Sequence, residues 1–343
     1  MPLKKEILDL LSDLHATQAT DEQISWAREA MNTLIVAAED PDAHISIAGF
    51  LTALQVRGAK GGHLAGFAQA LRRLGQKVDF DLPNLVDTCG TGGGSPSFNI
   101  STGAALLAAA SGAKVAKHGN RAVTSRSGSA DVLAAMGIGI TGDELKLKES
   151  MIRTGFAFLF APFHYHTMKN LAPIRAKLGV RTVFNQLGPL LNPAGAKRQI
   201  IGVYDRRLLE PMAQALELLG GEKSLVVHGE DGLDELSPVA SSRVRWAGSG
   251  AEEIWRPEEF FSLTLRAEDI APGEEPAESA AKILEAFAHT DSRAFCALLP
   301  SAATAVCLSL DVERSEAIER VRAAVESGAA MGVLETLREV LPA

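Results

Sequence analysis

Cysteine is scarce in this chain. Its three copies, Cys89, Cys296 and Cys307, are too few and too scattered for a disulfide frame or a zinc site, and they imply a reducing, cytoplasmic setting. Positive charge is also in short supply. The formal net charge is −8 at pH 7, which argues against a general nucleic-acid or membrane-surface binder. The apolar runs fall short of a membrane span, so no membrane partner is expected. The opening segment MPLKKEILDLLSDL carries acids and has no uninterrupted apolar core, unlike a signal peptide. No internal repeat or low-complexity tract is visible. What remains is a chain of 343 residues, 46% hydrophobic and 22% charged. That is ordinary for a globular protein of two domains, or of one large domain with a small partner.

Residues 1–78 read as helices. LKKEILDLLSDL, SWAREAMNTLIVAAED, ISIAGFLTALQVRG and HLAGFAQALRRLG show helical apolar spacing, punctuated by Gly or Asp-Pro. From residue 82 the rhythm changes. The short runs NLVDTC, AKVAK, FAFLFA, QIIGVY and SLVVHG alternate with helical stretches, the signature of an α/β sheet. The expected fold is therefore a small N-terminal helical domain beside a larger α/β domain, with a central, mostly parallel sheet covered by helices. The boundary falls between 1–78 and 80–343. The helical-looking segment 165–181 either covers the sheet or returns to complete the helical domain, over about 165–195.

The stretch DTCGTGGGSPSFNIST (Asp87–Thr102) places four glycines within positions 90–94. It is not a P-loop, because no lysine follows until Lys114, and it is not a dinucleotide fingerprint, because position 95 is serine. A buried strand precedes it and the helical run 100–112 follows, with Ser101 or Thr102 expected as N-cap. Glycines let main-chain amides approach a ligand closely. The helix start adds unpaired donors and partial positive charge. Strand, loop and helix together favour a phosphate or pyrophosphate seat over a bare surface loop.

Two more polar stretches repeat that logic. AKVAKHGNRAVTSRSGSADVLAAMG (113–137) leaves a strand at Lys117 and carries His118, Asn120, Arg121 and Arg126 before a helix near Ser129 or Asp131. Its cations can neutralise phosphate, arginine bidentately. HGEDGLDELSP (228–238) follows the run SLVV. Its adjacent Asp234 and Glu235 suit Mg²⁺, which takes one or two carboxylates plus substrate oxygens. A solvated acidic loop fits that stretch equally well. Cys89 reads as a small buried thiol rather than a reactive one.

These pieces, in this order, resemble the anthranilate phosphoribosyltransferase family. The resemblance rests on GTGG with SFNIST (90–102), KHGNRAVTSRSGSADVL (117–133), RTVFNQLGPLLNP (181–193) and DGLDELS (231–237). It implies transfer of a 5-phosphoribosyl group from phosphoribosyl pyrophosphate to the amine of anthranilate, with release of pyrophosphate, in a dimeric enzyme of tryptophan biosynthesis. By that resemblance Gly90, Thr91, Gly93, Gly94, Asn99, Ser101, Thr102, Lys117 and Ser129 would bind the donor. Ser101, Asp234 and Glu235 would hold Mg²⁺, and His118, Asn120 and Arg175 would line the anthranilate path. No catalytic nucleophile is expected, because positioning and charge stabilisation suffice for a good leaving group. The alternatives are a relative with another acceptor, such as a pyrimidine nucleoside phosphorylase, or a non-catalytic nucleic-acid binder. The chain departs from the family at the glycine loop, which is one residue shorter and lacks the acid after GTGG. It departs again at Tyr165, where histidine is common.

Overall fold

The five apolar runs become the five parallel strands of one sheet in a computed structural model describing residues 3–11, 20–122 and 127–343. They are β1 (Val86–Gly90), β2 (Val115–Gly119), β3 (Phe156–Phe160), β4 (Arg198–Gly202) and β5 (Lys223–Gly229). β6 (Ser242–Trp246) and β7 (Glu252–Trp255) extend the edge as an antiparallel hairpin that the sequence reading did not include. The order is β3-β2-β1-β4-β5-β6-β7. The chain runs outward from β1 to β3, then restarts at β4 on the other side of β1. This places a topological switch point between β1 and β4, where ligands of open α/β sheets bind at the carboxyl ends of the strands.

Both faces of the sheet are covered, which explains why the central strands read as unbroken apolar runs. On one face, Val86, Val115, Phe156, Ile200 and Leu225 pack with the helices Ile100–Ala110 and Arg293–Leu310. Gly103 allows these two helices to meet, since a Cβ there would lie 2.8 Å from Leu298. Arg293–Leu310 is long and apolar enough to cross a membrane by length and composition, contrary to the sequence expectation. It is instead 83% buried inside the protein, as a core helix.

On the other face, Ile201 and Val226 join a second core. It includes Leu209, Met212 and Leu216 of the helix Leu209–Leu218 and the N-terminal helices Thr20–Ala37, His44–Arg57 and Gly61–Leu74. Tyr165, Leu171, Ile174, Val183, Phe184, Leu187, Leu190 and Leu191 belong to the same core, so the 165–191 segment packs with the N-terminal helices. It is not one helix. Pro173 cannot continue a helix across its own missing N–H, and the segment divides into the 3₁₀ helix His166–Asn170 and the short α-helix Ala172–Leu178, which Pro173 opens.

Candidate functional site

The site begins with a pair of glycines. Gly90 ends β1, Gly202 ends β4, and the two are in register across the switch point. The loop after β5 lies on both of them. A Cβ on Gly90 would stand 2.6 Å from Asp234 Oδ2, and one on Gly202 would overlap the Asp234 carbonyl. A Cβ on Gly94 would stand 2.7 Å from the Asp234 amide. Three bonds stitch the glycine loop to the acidic loop. Gly92 N–H donates to Asp234 Oδ2 at 2.7 Å, Ser95 N–H to the Gly232 carbonyl at 2.8 Å, and Ser95 Oγ–H to the Asp231 carbonyl at 2.8 Å. From the opposite side Arg181 donates to the Gly93 carbonyl at 2.7 Å while its guanidinium stacks 4.2 Å over Tyr204. Thus the motifs 90–102, 181–193 and 231–237, far apart in sequence, meet at one place.

The helix that follows starts at Ile100, and its N-cap is Asn99, not Ser101 or Thr102. Asn99 sits in the left-handed region at φ 63°, which asparagine tolerates better than most residues. Its amide exchanges two hydrogen bonds with Ser127: Ser127 Oγ–H donates to Oδ1 at 2.7 Å, and Nδ2 donates to the Ser127 carbonyl at 3.1 Å. This ties the glycine loop to the KHGNR loop. Ser101 N–H, an orphan donor of the first helical turn, donates to Glu235 Oε1 at 3.2 Å.

Asp234 and Glu235 each hold one amide of the expected anion seat, so carboxyl oxygens already occupy two of its donors. Both side chains are half-buried in the cleft, and neither forms an ion pair with a described residue. Loss of solvent raises both carboxyls, Glu235 to about 8, where the neighbouring Asp234 charge adds to the rise. Two adjacent, poorly solvated carboxylates without a cation are a site that a divalent ion would complete. No cluster of three His, Cys, Asp or Glu side chains among the described residues could hold a metal alone. Remaining ligands would come from water or from a bound phosphate, as is usual for Mg²⁺.

The other expected donor residues divide into two groups. The amides of Gly93 and Gly94 find no partner among the described residues and stay available, and Gly93 adopts φ +83°. Ser129 opens the helix Ser129–Ala135, with Asp131 accepting from the Gly128 and Ala122 amides. Thr102 is buried, and its hydroxyl has no hydrogen-bond partner among the described residues. Thr91 is turned inward: its amide donates to the Gly202 carbonyl at 2.8 Å and its hydroxyl accepts from Tyr204 N–H at 3.1 Å. Lys117 is turned toward β1. Its ammonium is buried and donates to the carbonyl and hydroxyl of Thr88. It acts on Glu235 through charge, opposing the rise of that carboxyl. Arg126 lies outside the described residues.

Of the expected acceptor residues, His118 and Arg175 lie on the sheet face covered by the second core, beside Tyr165 and Phe184, and Asn120 lies in the loop after β2. His118 is buried, its two ring nitrogens find no hydrogen-bond partner among the described residues, and the Gly188 backbone lies beside the ring. Burial, then His164 and Lys117, push the imidazole down to about 3, so it is neutral. Arg175 is half-buried, held 5.1 Å over the Phe184 ring, and has no acidic partner among the described residues. Burial lowers its pKa. Asn120 is exposed, its Oδ1 accepting from Arg121 N–H at 2.8 Å. Cys89 is half-buried rather than buried, and loss of solvent, then Asp87, push its thiol up to about 12.

Asp87, fully buried on β1, anchors this face by accepting His118 N–H at 3.0 Å. Burial raises its carboxyl from 3.8 to about 6, against the lowering effects of Asn192 and Lys117. Between those values the folded chain keeps a proton that the unfolded chain has lost. Stability from this group therefore falls as pH rises through that window and levels off above it. Asp87→Asn removes the titration. The urea-unfolding difference between wild type and variant should shift toward the variant from pH 4 to about 6 and then flatten. A difference independent of pH would contradict this.

A model of the glycosyl transferase family, a/b domain, matches residues 82–331. The anthranilate phosphoribosyltransferase of Clostridium kluyveri is 40% identical over 339 residues, 98% of each chain. That of Caldanaerobacter subterraneus is 46% identical over 242 residues, 70% of this chain and 71% of the relative. Among solved structures, anthranilate phosphoribosyltransferase from Thermus thermophilus superposes with a TM-score of 0.85 at 38% identity, covering 92% of this chain and 95% of that one. The Saccharomyces cerevisiae enzyme in complex with PRPP and Mg superposes with a TM-score of 0.86 at 29% identity, covering 98% of each.

Proposed function

We propose, from the premise that this chain belongs to the glycosyl transferase family and within it to the anthranilate phosphoribosyltransferases, that it transfers the 5-phosphoribosyl group of phosphoribosyl pyrophosphate to the amine of anthranilate and releases pyrophosphate. The observation that carries this reading is the closure of the glycine loop and the helix start onto an acidic pair at the switch point of the sheet. Main-chain amides and the helix dipole face the position of a diphosphate, and the acids face its counter-ion.

Gly90, Gly93, Gly94, Asn99, Ser101, Thr102 and Ser129 form the donor cradle, with the Gly93 and Gly94 amides as its free donors. Thr91 and Lys117 shape the cradle from behind, Thr91 by pinning the loop to β4 and Lys117 by bracing Thr88. Asp234 and Glu235, with Ser101, would hold Mg²⁺. That ion, when bound, neutralises the diphosphate and improves it as a leaving group. Arg175 is the partner for the acceptor carboxylate, since it is poorly solvated and lacks an acid. Neutral His118 can accept a hydrogen bond from the aromatic amine, and Asn120 lies at the rim. With a good leaving group and a neutral nucleophile, positioning and charge stabilisation carry the rate.

The helical part, 1–78 with about 165–195, and the α/β part, 80–343, act as two domains that bring acceptor and donor together. The enzyme works in the cytoplasm as a homodimer. Ile45 and Val56 lie on one side of the helix His44–Arg57, 85% and 81% exposed, and give such a pair an apolar face. Sedimentation equilibrium reading the mass of one chain would remove the dimer.

The direct test is loss of anthranilate fluorescence on mixing protein, Mg²⁺ and phosphoribosyl pyrophosphate. Consumption that requires all three is expected. No loss at high enzyme concentration would refute the assignment.

A further inference from the structure

The turn Gly188–Leu191 presents three successive carbonyls to the interior, and each is taken by a side chain from a different part of the chain. The Pro189 carbonyl accepts from Gln199 Nε2 on β4 at 3.0 Å. The Leu190 carbonyl accepts from Arg72 Nε, on the helix Gly61–Leu74, at 2.8 Å. The Leu191 carbonyl accepts from the Tyr165 hydroxyl at 2.7 Å. The carbonyls at the end of such a turn have no partners of their own, and a buried carbonyl left unpaired is costly. One turn is therefore fastened at once to the sheet, to the N-terminal helices and to the segment after β3.

Tyr165 is committed to this work. Its ring fills the space above Gly75, where a Cβ would overlap it. Burial pushes its phenol up to about 12, so it remains a donor. Tyr165 thus acts within the fold as a fastener. The turn it fastens directly follows the helix Val183–Leu187, whose Phe184 underlies Arg175. The turn also begins at Gly188, beside the His118 ring. Movement of the turn would shift the ground under both proposed acceptor residues, while the bonds of the turn itself go to Gln199, Arg72 and Tyr165 and the contact of this segment with the glycine loop is made seven residues earlier, by Arg181.

We propose that Tyr165, together with Arg72 and Gln199, is a positioning residue for the acceptor: by capping the Leu191 carbonyl it holds Phe184 and Gly188 where Arg175 and His118 can meet the aromatic amine. This rests on the function proposed above. Steady-state kinetics on both substrates test it, with Tyr165→Phe, Arg72→Met and the double variant. Tyr165→Phe should raise the acceptor KM about tenfold, from the loss of one buried hydrogen bond, and leave the donor KM within about twofold. The double variant should cost less than the product of the singles, because both release one turn. A purely structural role would lower the melting temperature and move both KM values together or neither, and either result would overturn the proposal, as would multiplicative effects in the double variant. Wild type inactive on anthranilate would refute the function itself and this role with it. Active wild type with an unmoved acceptor KM in Tyr165→Phe would refute the positioning role alone.

Discussion

Asp234→Asn combined with Glu235→Gln should reduce turnover by roughly 10³-fold, the scale set by several kcal/mol of lost charge stabilisation, and should at the same time make the ligand-free protein more stable near neutral pH. The opposite signs follow from the geometry. Each acid is poorly solvated and raised in pKa, and Glu235 is raised further by its neighbour. Replacing them with amides relieves that desolvation and repulsion. The amide oxygens can still accept from Gly92 N–H and Ser101 N–H, so the loop keeps its fastenings. What the variant loses is the pair of negative charges that would hold Mg²⁺. Turnover measured against Mg²⁺ concentration, with melting curves with and without the ion, reads both effects. Turnover within about tenfold of wild type with unchanged Mg²⁺ dependence would show that the pair serves only the loop.

Gly202→Ala should be the most damaging single methyl in the α/β part. The added Cβ meets the Asp234 carbonyl, which is main chain and cannot rotate away. Overpacking of this kind costs about 3 kcal/mol or more when the backbone must move. The move would also lift the acidic loop from the glycine loop, so the donor KM should rise at least about tenfold, the loss expected when a charge-assisted hydrogen bond such as Gly92–Asp234 is broken. Gly90→Ala makes a useful contrast. Its new Cβ meets the end of the Asp234 side chain, which can turn, so stability should fall less while donor binding still suffers. Urea unfolding and donor kinetics on the two variants check the pair. Gly202→Ala with wild-type stability and wild-type donor KM would contradict the packing described here.

Much of this was legible in the sequence because it depends on local pattern. Five buried strands announced themselves as short apolar runs, and the glycine loop and the acidic pair were visible as motifs between them. The hairpin β6–β7 was not, because SRVRW mixes arginine with Val and Trp on a half-exposed edge and EEIW is too short to show a period. The N-cap was misplaced by two or three residues because Asn99 caps through its left-handed backbone and spends its side chain on Ser127. Lys117 had the composition of a phosphate ligand, yet the pleat of β2 directs it to Thr88. Gly202 passed unnoticed in an ordinary strand, since its need for glycine comes from a loop more than thirty residues later. The fastening of Leu190 by Arg72 joins residues 118 positions apart, and no local reading could pair them.

The central claim is that the main-chain amides of the glycine loop, Gly93 and Gly94 first among them, receive the diphosphate of the donor. Hydrogen exchange of the intact protein with Mg²⁺, with and without phosphoribosyl pyrophosphate, measures those amides directly. Strong new protection across 92–102 and 231–235 is expected on adding the donor. Unchanged exchange there at saturating donor, with protection gained elsewhere, would contradict it.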